Sequence, residues 1–450
     1  MRVRRLVYTC VIALGVLAAV PAIAGAVPPQ YPNGWSVPTS GLRQMPFSQD
    51  TRAFCKGPAG SVYEVALSRV TEYYAAITRF RVSDGAVLKS WTYPATPGAP
   101  AIPYAAASDA SGNVFVAVEE TRASDSDWVV LKYTRAGKRL WRRSYDSGKG
   151  QDTPYGMVVD HQGDVIVAGT SAQTGGYDAA VVKWSAAGTL KWKRMISAPG
   201  LDLVTALGVD GSNNVYAGGD RGESGGVGTA VLRSWTPAGR QRWTATAVDP
   251  LGGMPAWRYI SIKGKSVYVA GQSMGSPSTF MAMKYTTAGK RVWSAPKMQA
   301  YPHGAWVSGL AVDGAGSPVV VGWAYQAGTS GENQAAVWKL TAKGVTSWHS
   351  EFTNAAWPHD GEFDAVGVDS KNRIYAAGGQ YVTSGTGNLL IVRYSPTGVE
   401  QAMWRSDGQQ SGYCAFSDLL VLSDTQVVAA GMVAGNGSNA AVYRAGTTAP

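Results

Sequence analysis

The chain has 450 residues, 55 of them glycine, a formal charge of +10 and 10% aromatic residues. Abundant glycine beside a high aromatic content excludes a disordered polyelectrolyte and fits many short strands joined by tight turns. Three cysteines in so long a chain exclude a disulfide scaffold, so a large core must supply the stability.

The N-terminus reads as a leader. Arg2, Arg4 and Arg5 precede an apolar run over residues 6–20, Pro21 ends the run, and Ala24-Gly25-Ala26 is an A-x-A-type cleavage site. Residues 1–26 are therefore expected to be a secretory signal peptide. Cys10 lies inside the apolar run with no lipobox before it, so no lipid anchor is expected. Without the leader's three arginines the charge is +7, and two cysteines remain, Cys55 and Cys414.

From there one phrase recurs. "VLKYTRAGKRLW" (130–141), "VVKWSAAGTLKW" (181–192), "AMKYTTAGKRVW" (282–293) and "VWKLTAKGVTSW" (337–348) each break at a glycine and end on tryptophan. A second phrase precedes it: "VVDHQGDVIVAGTS" (158–171), "LGVDGSNNVYAGGD" (207–220), "LAVDGAGSPVVVGW" (310–323) and "VGVDSKNRIYAAGG" (366–379). Each unit reads as four strands with turns between them. The tryptophans at 91, 141, 192, 243, 293, 348 and 404 mark units of 50 to 56 residues. Only seven closing strands follow eight copies of the earlier ones. "NGWSVP" (33–38) matches "RVWSAP" (291–296), and Trp35 is in step with the rest, so the first strand is expected to complete the last unit.

Repeats of this length suit radial blades, and an exchanged strand removes an open sheet edge. The expected fold is all-β: an eight-bladed β-propeller of four-stranded blades closed by an N-terminal strand, with seven blades as the alternative. Residues 27–446 form one domain in this reading and 447–450 a tail. Cys55 falls in the first blade and Cys414 in the last; these are neighbours in a ring, so the pair is a disulfide candidate.

Each phrase has a packing reason. The aspartate ending the first strand (Asp109, Asp160, Asp210, Asp313, Asp369) is expected to bond turn amides. The pairs Ala168-Gly169, Gly218-Gly219, Ala270-Gly271 and Gly378-Gly379 let backbones approach closely. The recurring basic residue of the third strand (Lys132, Lys183, Lys339, Arg393) reads as a packed stem with its charge reaching water. The tryptophan reads as a wedge between adjacent blades.

The combined pattern D-x-x-G-x-V-Y-V-A-G … V-V-K-Y-x-x-x-G-x-x-x-W resembles the bacterial SBBP-type β-propeller repeat over about residues 31–446. That resemblance implies a secreted or surface-exposed protein, and its family name implies seven blades. The G-x-x-x-W element, as in Gly188–Trp192 and Gly239–Trp243, is similar to the repeat of eight-bladed quinoprotein dehydrogenases. Their site uses a vicinal disulfide, and no adjacent cysteines occur here, so neither a quinone nor any other cofactor is expected.

Loops entering the first strands gather on one face around the axis, and they carry the candidate ligand-binding residues. These are Asp152, Asp202, His303, Trp357, His359 and Asp360, with Glu362 and Asp364 close behind. His303 and His359 stand at matching places and could hold a metal, though loops are polar anyway, and no metal site is assigned. The loop over 351–364 exposes Trp357 and is the expected place for a carbohydrate or peptide. No catalytic residue is assigned, since no serine sits in a nucleophile elbow. Basic residues crowd the closing strands of four consecutive units: Lys138, Arg139, Arg142, Arg143, Lys191, Lys193, Arg194, Arg240, Arg242, Lys290 and Arg291. They protect an outer edge or meet an anionic polymer. The functional expectation is a secreted, noncatalytic binding or scaffold protein of the cell surface, wall-associated or free. Its partner would be an anionic envelope polymer, a glycan or a surface protein, and no nucleic acid is expected. The alternative is an extracellular enzyme acting on sugars or polyphenols from an axial pocket.

Overall fold

The computed structural model describes residues 35–36, 48–69, 73–94, 99–122, 125–174, 176–197, 202–222, 228–249, 252–275, 278–295, 300–301, 304–325, 333–352, 361–382, 386–405, 414–433 and 439–446. The leader, residues 1–26, lies outside them. The described residues form eight antiparallel sheets of four strands, with Ala300–Tyr301 added to one of them as a fifth against Ser278–Thr286. Seven are continuous in the chain. Blade 1 begins with Ser48–Lys56, blade 2 with Ala101–Ser108, blade 3 with Thr153–Val159 and blade 4 with Asp202–Val209. Blade 5 begins with Met254–Lys263, blade 6 with Ala305–Val312 and blade 7 with Gly361–Val368.

Blade 8 joins both ends of the chain, in the order Trp35–Ser36, Asn439–Gly446, Gln426–Val433, Cys414–Ser423. Trp35 pairs with Arg444 and Ser36 with Tyr443, so the first strand does complete the last blade. The first strand of each blade touches that of the next, and blade 8 meets blade 1, so the sheets form a ring. Phe54, Val62, Phe80 and Val82 of blade 1 pack on Val428 and Ala430 at this seam.

The repeated phrase fastens each blade to its successor. The turn glycine of one blade lies against the outer-strand tryptophan of the blade before it: Gly188 on Trp141, Gly239 on Trp192, Gly289 on Trp243, Gly344 on Trp293 and Gly398 on Trp348. The same indoles donate from Nε1 to carbonyls in that turn, at 3.1 Å to Ala186, 3.0 Å to Pro237, 3.1 Å to Thr287, 2.9 Å to Ala342 and 3.1 Å to Pro396. Glycine is required here twice over. At Gly239 φ is +81°, and a Cβ would stand 2.6 Å from Trp192 Cγ.

The aspartate turn is as the sequence indicates. Asp160 Oδ1 accepts from the amides of Gln162 and Asp164, at 2.9 and 3.0 Å. The third-strand lysine differs from expectation, because its charge does not reach water. Lys183 is fully buried and pairs with Asp160 at 2.6 Å and Asp164 at 3.3 Å. Lys132 meets Asp109 at 3.1 Å and Lys339 meets Asp313 at 2.7 Å. The turn carboxylate lies within reach of the third strand, and an ion pair there compensates the burial of both charges.

A second correction concerns the cysteines. Cys55 and Cys414 are both buried and no disulfide joins them. Side chains along a strand alternate between the two neighbouring blades. Cys55 packs with blade 2 residues such as Val116, and Cys414 packs with blade 7 residues such as Ile391, so the thiols face away from one another.

Two measurements check these contacts. Gly239→Ala should destabilise the protein by more than ~1 kcal/mol in chemical denaturation, while Gly211→Ala, with open space around it, should leave the midpoint nearly unchanged. Lys183→Met leaves buried Asp160 without its cation, while Asp164 keeps Lys191 at 2.5 Å, and should cost ~3–5 kcal/mol in the same assay.

Candidate functional site

All eight inner strands carry a bulge at the same level. The bulged residues are Arg52, Tyr104, Tyr155, Thr205, Arg258, Ser308, Asp364 and Ser417. The bulge pushes a carbonyl toward the second strand, and glycine receives it: a Cβ on Gly219 would lie 1.8 Å from Leu203 O and one on Gly322 1.9 Å from Trp306 O. Each bulge falls within the first five residues of its strand, close to the inter-blade loop that enters it and away from the tight turn that ends it.

The residue after each bulge faces the next blade. Six of these positions hold alanine or glycine: Ala53, Ala105, Gly156, Ala206, Gly309 and Ala365. The other two are Tyr259 and Asp418. Burial pushes the Asp418 carboxyl up to about 7, against the opposing pull of the Leu419 and Phe54 amides. Burial also raises the Tyr259 phenol, reinforced by the charges of Asp364 and Asp418. Asp364 is held well above the carboxylate range by burial and by Glu362 beside it. Asp364 and Asp418, both raised by burial, thus lie close enough to Tyr259 for their charges to act on it.

The residues expected from the sequence fare unevenly. Asp152 is fully buried and accepts the amides of Ser147 at 2.6 Å and Ala172 at 2.7 Å, so it shapes its own loop. Burial raises its carboxyl above the usual range. Asp202 opens the inner strand of blade 4. His303, Trp357, His359 and Asp360 lie outside the described residues.

Sequence reasoning missed two groups. One is acidic and lies at the loop end of blade 2. Glu119 accepts from Ser126 at 2.9 Å, Gln151 at 2.7 Å and Tyr104 at 3.0 Å. Glu120 binds Arg142 at 2.6 Å and the hydroxyl of Tyr93 at 2.5 Å. Beside them, Asp125, Asp127 and Asp146 hold carboxylate oxygens within 4.8 Å of one another, near enough for a hard cation to bridge. Arg122 stands 3.3 Å from Asp127. The other group is aromatic. Trp306 and Trp323 are cross-strand partners on blade 6, their rings 6.4 Å apart and within 10° of parallel. Tyr325 meets Trp323 edge-on at 5.3 Å, and all three are partly exposed. The only textual signal for them was aromatic excess near the end of one second strand. A small cleft between blades 3 and 4, lined by Ile196, Leu203 and Ala217, has about 10 Å³, at the limit for one water.

No family model matches the sequence, and no curated protein does. Solved structures show the fold. The chain is similar to Sqt1 from Chaetomium thermophilum, with TM-score 0.55 and 10% identity over 89% of this chain and 97% of that one. It is also similar to the quinohemoprotein alcohol dehydrogenase ADHIIG from Pseudomonas putida HK5, with TM-score 0.54 and 11% identity over 90% of this chain and 76% of that one. A europium-containing methanol dehydrogenase gives TM-score 0.51 at 11% identity, over 90% and 84%. The chain is a β-propeller, and quinoprotein propellers are among its structural neighbours.

Asp418 supplies a test of the inner ring. Between the ordinary carboxylate range and about pH 7 the folded protein keeps a proton that the unfolded chain has released, so this group's contribution weakens the fold as pH rises through that window. Asp418→Asn should remove that slope, roughly tenfold in the folding equilibrium per pH unit. Denaturation midpoints from pH 4 to 8 would show it, with the variant gaining most on wild type at the alkaline end.

Proposed function

We propose that this protein is a secreted, noncatalytic binding scaffold whose basic outer rim on blades 2 to 5 meets an anionic polymer of the cell envelope. The observation that carries this reading is the composition of four consecutive outer strands. Arg139–Tyr145, Leu190–Ile196, Gln241–Ala247 and Arg291–Ala295 contain no acidic residue. Lys138, Arg139, Lys193, Arg240, Lys290 and Arg291 are exposed along this rim. Aliphatic side chains, Leu140, Leu190 and Val292, are exposed among them. Some of the basic residues already have structural work. Arg143 donates to the carbonyl of Gly188 at 2.5 Å and Arg194 to that of Gly239 at 2.7 Å, clasping the next blade. Arg142 is tied to Glu120. Lys191 is tied to Asp164 and Arg242 to Tyr216 and Ser234, while Lys138, Arg139, Lys193, Arg240, Lys290 and Arg291 face outward, and a rigid ring presents them as a fixed array that attracts polyanions in a salt-dependent way.

The acids near the axis favour a second reading, an extracellular enzyme with Asp364 or Asp418 as a proton donor. Pull-down of the full chain on purified envelope polymer, across a salt series, separates the two. Neutralising Lys138, Arg139, Lys193, Lys290 and Arg291 to glutamine should abolish binding and flatten its salt dependence while leaving the melting temperature in place. Undiminished binding by that variant would remove the rim from the reading. Turnover of a sugar or polyphenol that disappears in Asp364→Asn would favour the enzyme.

A further inference from the structure

The loop end of the crevice between blades 6 and 7 is built differently from the rim. In the core below, Val321 and Ala335 of blade 6 pack against Leu390 and Val392 of blade 7. Side chains alternate along a strand, so Trp323 and Tyr325, two and four residues beyond Val321, face blade 7 as well. Trp306 stands opposite Trp323. By the same alternation Asn388, two residues before Leu390, faces blade 6, with Gln380 opposite it across the strands. Asn388 is 4% exposed, and its Oδ1 has no hydrogen-bond partner. A buried carbonyl without a donor costs stability, and it persists where a ligand or water supplies the donor.

The crevice therefore offers two near-parallel indoles and a phenol, all partly exposed, with a pair of buried side-chain amides, Gln380 and Asn388, on the facing blade. None of these groups is ionised at neutral pH. Flat aromatic faces suit the C–H faces of a pyranose ring, and planar amides suit its hydroxyls, which donate and accept in turn. Arg258 lies over the Trp306 ring at 5.9 Å, but its charge is balanced by Asp220 at 3.4 Å. A neutral ligand is favoured over an acidic one.

We propose that this crevice binds a neutral hexopyranose unit, stacked on the Trp306–Trp323 pair and donating a hydroxyl to Asn388 Oδ1. The site is separate from the basic rim and needs no catalysis, so it adds a second ligand class to the scaffold reading on which it rests. The test uses the full chain with glucose, galactose, mannose, N-acetylglucosamine and their β- and α-linked disaccharides as probes, read by calorimetry and indole fluorescence. At least one probe should bind. Trp323→Ala and Asn388→Ala should each weaken it tenfold or more, and Trp323→Phe, which keeps a stacking face, should retain most of the affinity at an unchanged melting temperature. No binding by any probe, or equal binding by Trp323→Ala and Asn388→Ala, overturns the site. The rim variant should bind the same sugar as wild type. Loss there as well would overturn the separation of the two surfaces, and release of a cleaved sugar would support the crevice while sinking the noncatalytic reading.

Discussion

The ring depends on an indole laid against a glycine. In five successive interfaces the tryptophan of one blade covers the turn of the next and donates its N–H to a carbonyl there. The contact joins a large apolar area to a directional bond, and it leaves no room for a β-carbon on the opposing glycine. Two residue types four or six positions apart in the text are thus coupled across a blade boundary rather than within a blade. That coupling explains why the phrase recurs. Each copy supplies the glycine for the interface behind it and the tryptophan for the interface ahead.

Inside the five blades that carry a turn aspartate, a second device works at the opposite end of the chemistry. The turn aspartate holds its own loop amides and, in blades 2, 3 and 6, receives a lysine from the third strand. A carboxylate that bonds backbone N–H groups and a buried ammonium ion together leaves few unsatisfied partners, the condition under which burying both charges is tolerable. The inner strands add bulges at one level all round, and those bulges set which side chains turn toward the neighbouring blade and which toward the axis.

Much of this was legible in the sequence because it repeats. The tryptophan step, the turn aspartates, the paired glycines and the completing strand at Trp35 all follow from period and turn chemistry. What was not legible depends on register. Lys183 reads as a snorkelling stem until Asp160 is seen within 2.6 Å. Cys55 and Cys414 read as neighbours because their blades adjoin, yet alternation turns them toward different blades. Trp306 and Trp323 look like ordinary members of two apolar runs, and only strand pairing sets them side by side. The histidine loops picked out by spacing lie outside the described residues, so attention shifts to strand ends, where alternation fixes the geometry.

The composite blade has a consequence for how the molecule comes into being. Every other sheet can assemble as soon as its own strands have left the ribosome, because its pairings join strands close together in the chain. The strand at Trp35–Ser36 must instead wait for Asn439–Gly446, the last in chain order among the described strands. Until then the growing protein is an open arc with an unfilled seat at one end and an unplaced ribbon at the other. Its slowest step is the meeting of the most distant partners in the chain. Circularity is reached only once residues 35–36 and 439–446 are present together.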